Sequence, residues 1–200
     1  IKKYTNKGYS AVIVGDRDHP EVIGLLGFAG NRGVVVNNLD EFRSLPEFGD
    51  AIVVAQTTQN TVNYELIKEY ARKRFSRYKI FDTICGSTEK RQKEVSQMAS
   101  EVDAIVVIGG NTSGNTQRLF EIARKSGKPS FHVETESDLN VGALTHAESI
   151  GITAGASGPE GARAEAIEGF KDRYGATTEM VVTAEENVEF KVPRVLRESA

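Results

Sequence analysis

The sequence predicts an α/β fold in which repeated βα units build two similar small parallel sheets. Three observations predict it. Short β-branched runs alternate with longer amphipathic stretches, the order expected when each strand is followed by a crossover helix. The longest apolar runs, Ser10-Ala11-Val12-Ile13-Val14 and Ala104-Ile105-Val106-Val107-Ile108, are strand-sized and well short of the roughly 20 residues that cross a bilayer. Gly, Pro, Ser and Asn punctuate the intervals between these runs, as turns and helix caps require.

The elements follow in order. After a strand at about 10–15, His19 to Ala29 reads as a helix, with Pro20 near its first position, where a missing N–H is tolerated. A strand at 33–36 leads to Asn38, a cap for a helix over Leu39 to Leu45. Beyond a strand at 51–55, Asn60 to Ser76 sets Val62, Leu66, Ile67 and Tyr70 on one helical face. A strand at 78–82 precedes a helix over Thr88 to Val102 that starts at Ser87, and a strand at 103–108 precedes a helix over Thr116 to Ser126 that ends at Gly127. Strands at 129–133 and 149–154, a helix over Pro159 to Tyr174 ending at Gly175, and a strand at 179–183 complete the pattern. The elements fall into two blocks, 1–80 and 81–158, followed by a helix and tail over 159–200. In that tail Glu189-Phe190-Lys191-Val192-Pro193 reads as extended with little apolar partner of its own, so packing on something absent from this chain is expected.

Composition bounds the function. With 200 residues, 39% hydrophobic and 26% charged, the chain suits one large or two small cores. A net charge of −3 excludes a broadly basic nucleic-acid face. The single cysteine, Cys85, excludes an internal disulfide and any all-cysteine metal site built from this chain alone. The first residue is Ile1, with neither an initiator Met nor a signal-peptide core, so a fragment or processed product is expected.

Ligands of open α/β sheets bind beyond the carboxyl ends of the strands, where turns lead into anion-favouring helix N-termini. Five such turns share a vocabulary of Gly, Ser, Thr, Asn, Gln and Pro: 15–21, 56–60, 83–88, 109–116 and 153–159. Each alone is explained by capping and turn formation. Together they point to a phosphate site built from several loops. The 109–116 loop lacks a P-loop lysine and Gly15-Asp16-Arg17 is no dinucleotide fingerprint, so neither nucleotide class is supported. Cys85 sits where a strand hands over to a helix, a position that favours the thiolate; a small buried hydrophobe is its ordinary alternative. Its C-x5-R spacing to Arg91 suggests a cysteine phosphatase as a second hypothesis. His19 and Glu21 flank Pro20 and can face one cleft as anion donor and proton source. His132 and His146 read as structural or solvated. Lys68, Arg72, Lys73, Arg74, Arg77 and Lys79 read as a solvated face, with docking of an acidic electron carrier as the alternative.

Taken in order, His19-Pro20-Glu21-Val22, Gln56-Thr57-Thr58, Thr83-Ile84-Cys85 with Arg91-Gln92, Gly109-Gly110-Asn111-Thr112-Ser113-Gly114-Asn115-Thr116 with Arg118-Leu119, and Thr153-Ala154-Gly155-Ala156-Ser157 resemble the 4-hydroxy-3-methylbut-2-enyl diphosphate reductases, the LytB/IspH family. The resemblance runs over nearly the whole chain. It implies a cytoplasmic enzyme of the non-mevalonate isoprenoid pathway that reductively removes the hydroxyl of the allylic diphosphate, giving isopentenyl and dimethylallyl diphosphate. It implies three α/β domains in a pseudo-threefold, trefoil-like arrangement around an iron–sulfur (4Fe-4S) cluster held by three cysteines. Ferredoxin or flavodoxin is the implied electron donor. Through it, Cys85 matches the last cluster ligand; His19, Ser113, Asn115 and Ser157 match diphosphate-binding positions; Glu21 matches the proton donor and Thr57 a residue positioning the substrate hydroxyl. The family's first domain, with the other two cysteines, has no counterpart here, so the ligand set is incomplete and the isolated chain is expected to be inactive. Blocks 1–80 and 81–158 would then be the second and third domains, with 159–200 returning toward the first. Gly114 departs from the family, where a serine is common. A non-catalytic diphosphate-binding module is the remaining alternative.

Overall fold

The computed structural model describes residues 1–139, 141–144, 146–155, 167–169 and 177. Among them the chain forms two parallel sheets, as the alternation of short runs and amphipathic stretches predicts. Helix α1 (Lys2–Thr5) precedes β1 (Ser10–Val14), and then come α2 (Pro20–Ala29), β2 (Gly33–Val36), α3 (Leu39–Arg43), β3 (Ala51–Ala55), α4 (Thr61–Arg74) and β4 (Tyr78–Ile80). The four strands lie in the order β2-β1-β3-β4. The second sheet follows with α5 (Gly86–Glu101), β5 (Ala104–Ile108), α6 (Gly114–Lys125), β6 (Ser130–Val133) and β7 (Ile150–Ala154), in the order β6-β5-β7. Every strand pairing is parallel.

Both faces of each sheet are covered, which is why the central strands read as unbroken apolar runs rather than alternating ones. Val12 and Val14 of β1 face a core shared with Phe42 of α3 and with Tyr64, Ile67 and Ala71 of α4. The intervening Ile13 and Ala11 pack beside Val22 and Ala29 of α2 on the opposite face. In β5, Ile105 and Val107 meet Val95, Ala99, Leu119 and Ala123 of α5 and α6, while Ala104, Val106 and Ile108 face Leu139 and Leu144.

Several boundaries differ from those expected. Strand β4 ends at Ile80 rather than 82, although its pairing continues in another form: Phe81 N donates to Val53 O, and the Thr83 hydroxyl both accepts from Ala55 N and donates to Ala55 O. Helix α5 starts at Gly86 with Cys85 at its N-cap, ahead of Ser87, and α6 starts at Gly114 behind Ser113, two residues before Thr116. Helix α1 and the short 3-10 turns at Gly30–Arg32, Glu136–Asp138 and Val141–Leu144 carry no sequence signal strong enough to predict them. The strand expected at 179–183, the tail beyond it, Ser157 and most of the helix expected at 159–174 lie outside the described residues; residues 167–169 are helical.

Candidate functional site

Each sheet has one place where the strand order reverses, the position at which open α/β sheets form a crevice. In the first sheet it lies between β1 and β3, whose carboxyl ends lead into Gly15-Asp16 and Gln56-Thr57. Gln56 is fully buried and stitches this crevice: its N–H donates to Val14 O, its Oε1 accepts from Asp16 N at 2.9 Å, and its Nε2 donates to Thr58 Oγ1 at 2.9 Å. Gly15 is required by close approach, since a Cβ there would lie 2.6 Å from Val22 Cγ2.

Three helices open from the turns with sequence-predicted site residues at their N-caps. His19 caps α2: its Nδ1 accepts from Glu21 N at 3.2 Å, which assigns the ring proton of the neutral tautomer to Nε2. Cys85 caps α5, is exposed, and has its Sγ 3.1 Å from Ser87 Oγ. Ser113 caps α6, with its Oγ accepting from Thr116 N at 3.3 Å. Glu21, Thr57 and Cys85 are joined in one chain: Thr57 N and Thr57 Oγ1 donate to the two Glu21 carboxylate oxygens at 2.9 and 2.8 Å, and Cys85 N donates to Thr57 O at 2.9 Å.

The second crevice lies between β5 and β7, whose ends lead into Gly109 and Gly155. The buried Thr116 side chain presses on both glycines; a Cβ at Gly109, where φ is +152°, would lie 2.6 Å from Thr116 Oγ1, and one at Gly155 would also collide with it. The loop between β5 and α6 is braced from outside. His132 Nε2 lies 2.9 Å from Gly109 O, Glu134 Oε1 accepts from Asn111 N at 2.8 Å, and Gln117 Nε2 donates to Asn111 O at 2.6 Å. In the first turn of α6, Asn115 is 7% exposed, and neither side-chain polar atom has a hydrogen-bond partner among the described residues; the same holds for Thr116 Oγ1.

The two crevices face one another. A Cβ at Gly114, the first residue of α6, would lie 3.0 Å from Thr58 Oγ1, 3.2 Å from Gln56 Nε2 and 3.3 Å from His19 Nε2. The N–H face of His19 therefore meets the N-terminus of α6, and a side chain at Gly114 would crowd the gap. Arg118, one turn further along α6, bridges the units: its Nη2 donates to both Asp16 oxygens at 2.6 and 2.7 Å, and its Nη1 donates to both Glu121 oxygens at 2.8 and 3.0 Å. Burial works against that charge, but the Glu121 and Asp16 carboxylates outweigh it and hold the guanidinium above its ordinary value.

The structure thus brings His19, Glu21, Thr57, Ser113 and Asn115 to facing turns, with Cys85 joined to Thr57 through the backbone. Ser157 lies outside the described residues. Arg91, the phosphatase candidate, donates to Ala154 O at 3.0 Å and so braces β7. His132 braces the 109–113 loop, and His146 is exposed. The basic run is paired: Lys68 with Glu65 and Asp82, Arg72 with Glu65, Lys73 with Glu69 and Arg77 with Asp50. Arg74 lies over Phe75, and Lys79 over Tyr4 and Tyr9. Sequence reasoning missed Gln56 and Asp16 as organising residues. A glutamine and an aspartate flanking two strand ends offered the one available signal.

Helix N-termini and an imidazole N–H around one gap, with a buried amide in the first turn of α6 that has no partner among the described residues, are suited to anionic oxygens, whose charge the helix dipoles and N–H groups favour. No helix of the described residues is long and apolar enough to cross a membrane. The family model described as LytB protein matches residues 1–171. A 4-hydroxy-3-methylbut-2-enyl diphosphate reductase of Caldanaerobacter subterraneus subsp. tengcongensis is 39% identical over 175 residues, covering 88% of this chain and 61% of that protein. One of Thermoanaerobacter sp. is 41% identical over 160 residues, covering 80% of this chain and 56% of that protein. The chain therefore spans 56 to 61% of the length of these two relatives. The solved structure of the E-1-hydroxy-2-methyl-but-2-enyl-4-diphosphate reductase from Plasmodium falciparum shares the fold, with a TM-score of 0.87 at 21% identity over 99% of this chain and 64% of that one.

Proposed function

Because the chain belongs to the LytB protein family, we propose that it forms the diphosphate-binding part of a 4-hydroxy-3-methylbut-2-enyl diphosphate reductase. The reaction is reductive removal of the substrate hydroxyl, giving isopentenyl and dimethylallyl diphosphate, with a cytoplasmic location and ferredoxin or flavodoxin as the electron source. The single observation that carries the proposal is the gap between facing turns, where His19 Nε2 approaches the N-terminus of α6; the next residue of that helix, Asn115, carries a buried amide with no partner among the described residues.

In this reading His19, Ser113, Asn115 and Ser157 bind diphosphate oxygens. A buried amide with no partner is costly, so a ligand that completes its hydrogen bonds relieves that cost on binding. Glu21 carries a proton to the departing hydroxyl and Thr57 orients both; the two hydrogen bonds from Thr57 already fix the carboxylate. Residues 1–80 and 81–158 act as two successive units of a trefoil-like protein. Among the described residues no group of three or more His, Cys, Asp or Glu side chains could hold a metal ion. One thiol does not hold an iron–sulfur cluster, so the described residues do not fit the group by themselves. Cys85 is one ligand of a set completed outside them, and the isolated chain binds without reducing.

Calorimetric titration of the chain with 4-hydroxy-3-methylbut-2-enyl diphosphate tests this. Saturable binding that weakens roughly tenfold or more in His19→Ala and Asn115→Ala is expected, since each removes a hydrogen bond to a charged oxygen. Absence of heat at millimolar ligand would contradict it.

A further inference from the structure

We propose that the ion pair between Asp16 and Arg118 is the clasp that sets the two sheets in register, which makes both of them positioning residues for the diphosphate cradle. The proposal rests on the cradle described above and adds what holds its two halves together. Asp16 and Arg118 lie 102 residues apart, one on each unit. Each is within one helical turn of the cradle. Asp16 opens the turn that ends at His19, and Asp16 O accepts from His19 N at 3.0 Å; Arg118 follows Gly114 and Asn115 on α6.

The geometry leaves the pair little freedom. Arg118 is 7% exposed and divides its guanidinium between two carboxylates, one nitrogen serving Asp16 and another Glu121. A planar guanidinium holds two carboxylates in fixed directions; a lysine ammonium, a point charge on a flexible stem, does not. Asp16 is fixed in turn, its N–H donating to Gln56 Oε1 and its Oδ1 accepting from Asn37 Nδ2 at 2.9 Å. Asn37 is held by Glu41 Oε2, which accepts from Asn37 N, and by Asn63 Nδ2, which donates to Asn37 O. The Arg118 side chain is buried and that of Asp16 is 33% exposed, so desolvation and solvent screening offset much of the attraction, and what the pair contributes is direction. If α6 slid or rotated against the first sheet, His19 Nε2 and the α6 N-terminus would no longer address the same oxygens.

Two readouts test the clasp on the whole chain, using Asp16→Asn, Arg118→Lys, Arg118→Met and the Asp16→Asn/Arg118→Met double variant. Residual dipolar couplings of the amides report the orientation of β1 and β3 relative to β5 and β7 without any ligand. Calorimetry with inorganic pyrophosphate reports the cradle. The expected result is folded variants in which the two sheets reorient and pyrophosphate affinity falls roughly ten- to a hundredfold. The double variant should lose no more than the worse single one, because both remove the same contact. Should Arg118→Met fail to fold, Arg118→Lys decides. A role in stability alone would lower the melting temperature while leaving couplings and affinity unchanged, and that result overturns the clasp, as would losses that simply add. A parent chain that fails to bind millimolar pyrophosphate overturns the cradle; the couplings then decide the clasp by themselves, reoriented sheets supporting it and unchanged ones refuting it.

Discussion

The crevices of the two sheets share a topology and differ in how their polar groups are satisfied. At the end of β1 and β3, Gln56 uses its oxygen on Asp16 and its nitrogen on Thr58, and Glu21 uses both oxygens on Thr57. That crevice is closed on itself. At the end of β5 and β7, the loop is braced from outside by His132, Glu134 and Gln117, while Asn115 and Thr116 keep buried polar atoms unpartnered among the described residues. Buried polar groups are normally paired because leaving them unpaired costs about 1–3 kcal/mol each. One crevice therefore fixes Glu21 through Thr57, and the other leaves hydrogen-bonding capacity that no described residue takes up and that the proposed diphosphate would complete.

The largest effects should come from the cores behind the two crevices. Ile13 and Ile105 are both fully buried in the central strands. Ile13→Ala and Ile105→Ala should each cost about 2–5 kcal/mol in denaturant unfolding. If the clasp makes the units one cooperative body, either change shifts a single transition; two transitions, with one moved by each variant, would break the comparison into two independent halves. Next comes Gln56→Leu, which leaves Asp16 N and Thr58 Oγ1 without their partner and should cost about 1–3 kcal/mol. A neutral result there would show that the first crevice is not held by this network. The smallest effect lies at Asp103, exposed at the start of β5, whose carboxylate accepts from Ser149 Oγ, Ser149 N and Glu148 N. The Ser149 hydroxyl and amide, and then the Glu148 amide, hold its carboxyl below the usual 3.8. A lowered folded-state value means stability that is present above the ordinary carboxyl range and lost as pH falls through the folded value. Asp103→Asn should therefore melt slightly below the parent at pH 7, and the gap should close in strong acid.

Much of this was legible because it follows from burial and capping. Strands covered on both faces must be continuously apolar, so Ala11 to Val14 and Ala104 to Ile108 announced themselves. Asn38, Asn60 and the His19-Pro20 pair announced helix starts through caps and a tolerated proline. The start of α5 was obscured because Ser87 is a stronger cap by type than Cys85, yet the chain turns at Cys85, whose N–H is held by Thr57 O. The α6 start was disguised by Gly114 and Asn115, poor helix formers by type; the glycine sits where a Cβ would crowd Gln56, Thr58 and His19. Lys2–Thr5 is too short and too polar to carry a periodic signal. Contacts across the gap, above all Asp16 with Arg118, join residues with no shared period, so local pattern could not reveal them. Of the site residues, those that double as caps were the easiest to find, and the unpartnered state of Asn115 became visible once α6 was packed.

The central claim is that the Asn115 amide, unpartnered among the described residues, is completed by the proposed diphosphate. Urea unfolding of Asn115→Leu, with and without 4-hydroxy-3-methylbut-2-enyl diphosphate, tests it most directly. Replacing this buried amide with an apolar side chain of similar size should leave the free protein as stable as the parent or more so, by up to about 1–3 kcal/mol, while the ligand should stabilise the parent more than the variant. A free Asn115→Leu chain clearly less stable than the parent, or one stabilised equally by the diphosphate, would contradict the account.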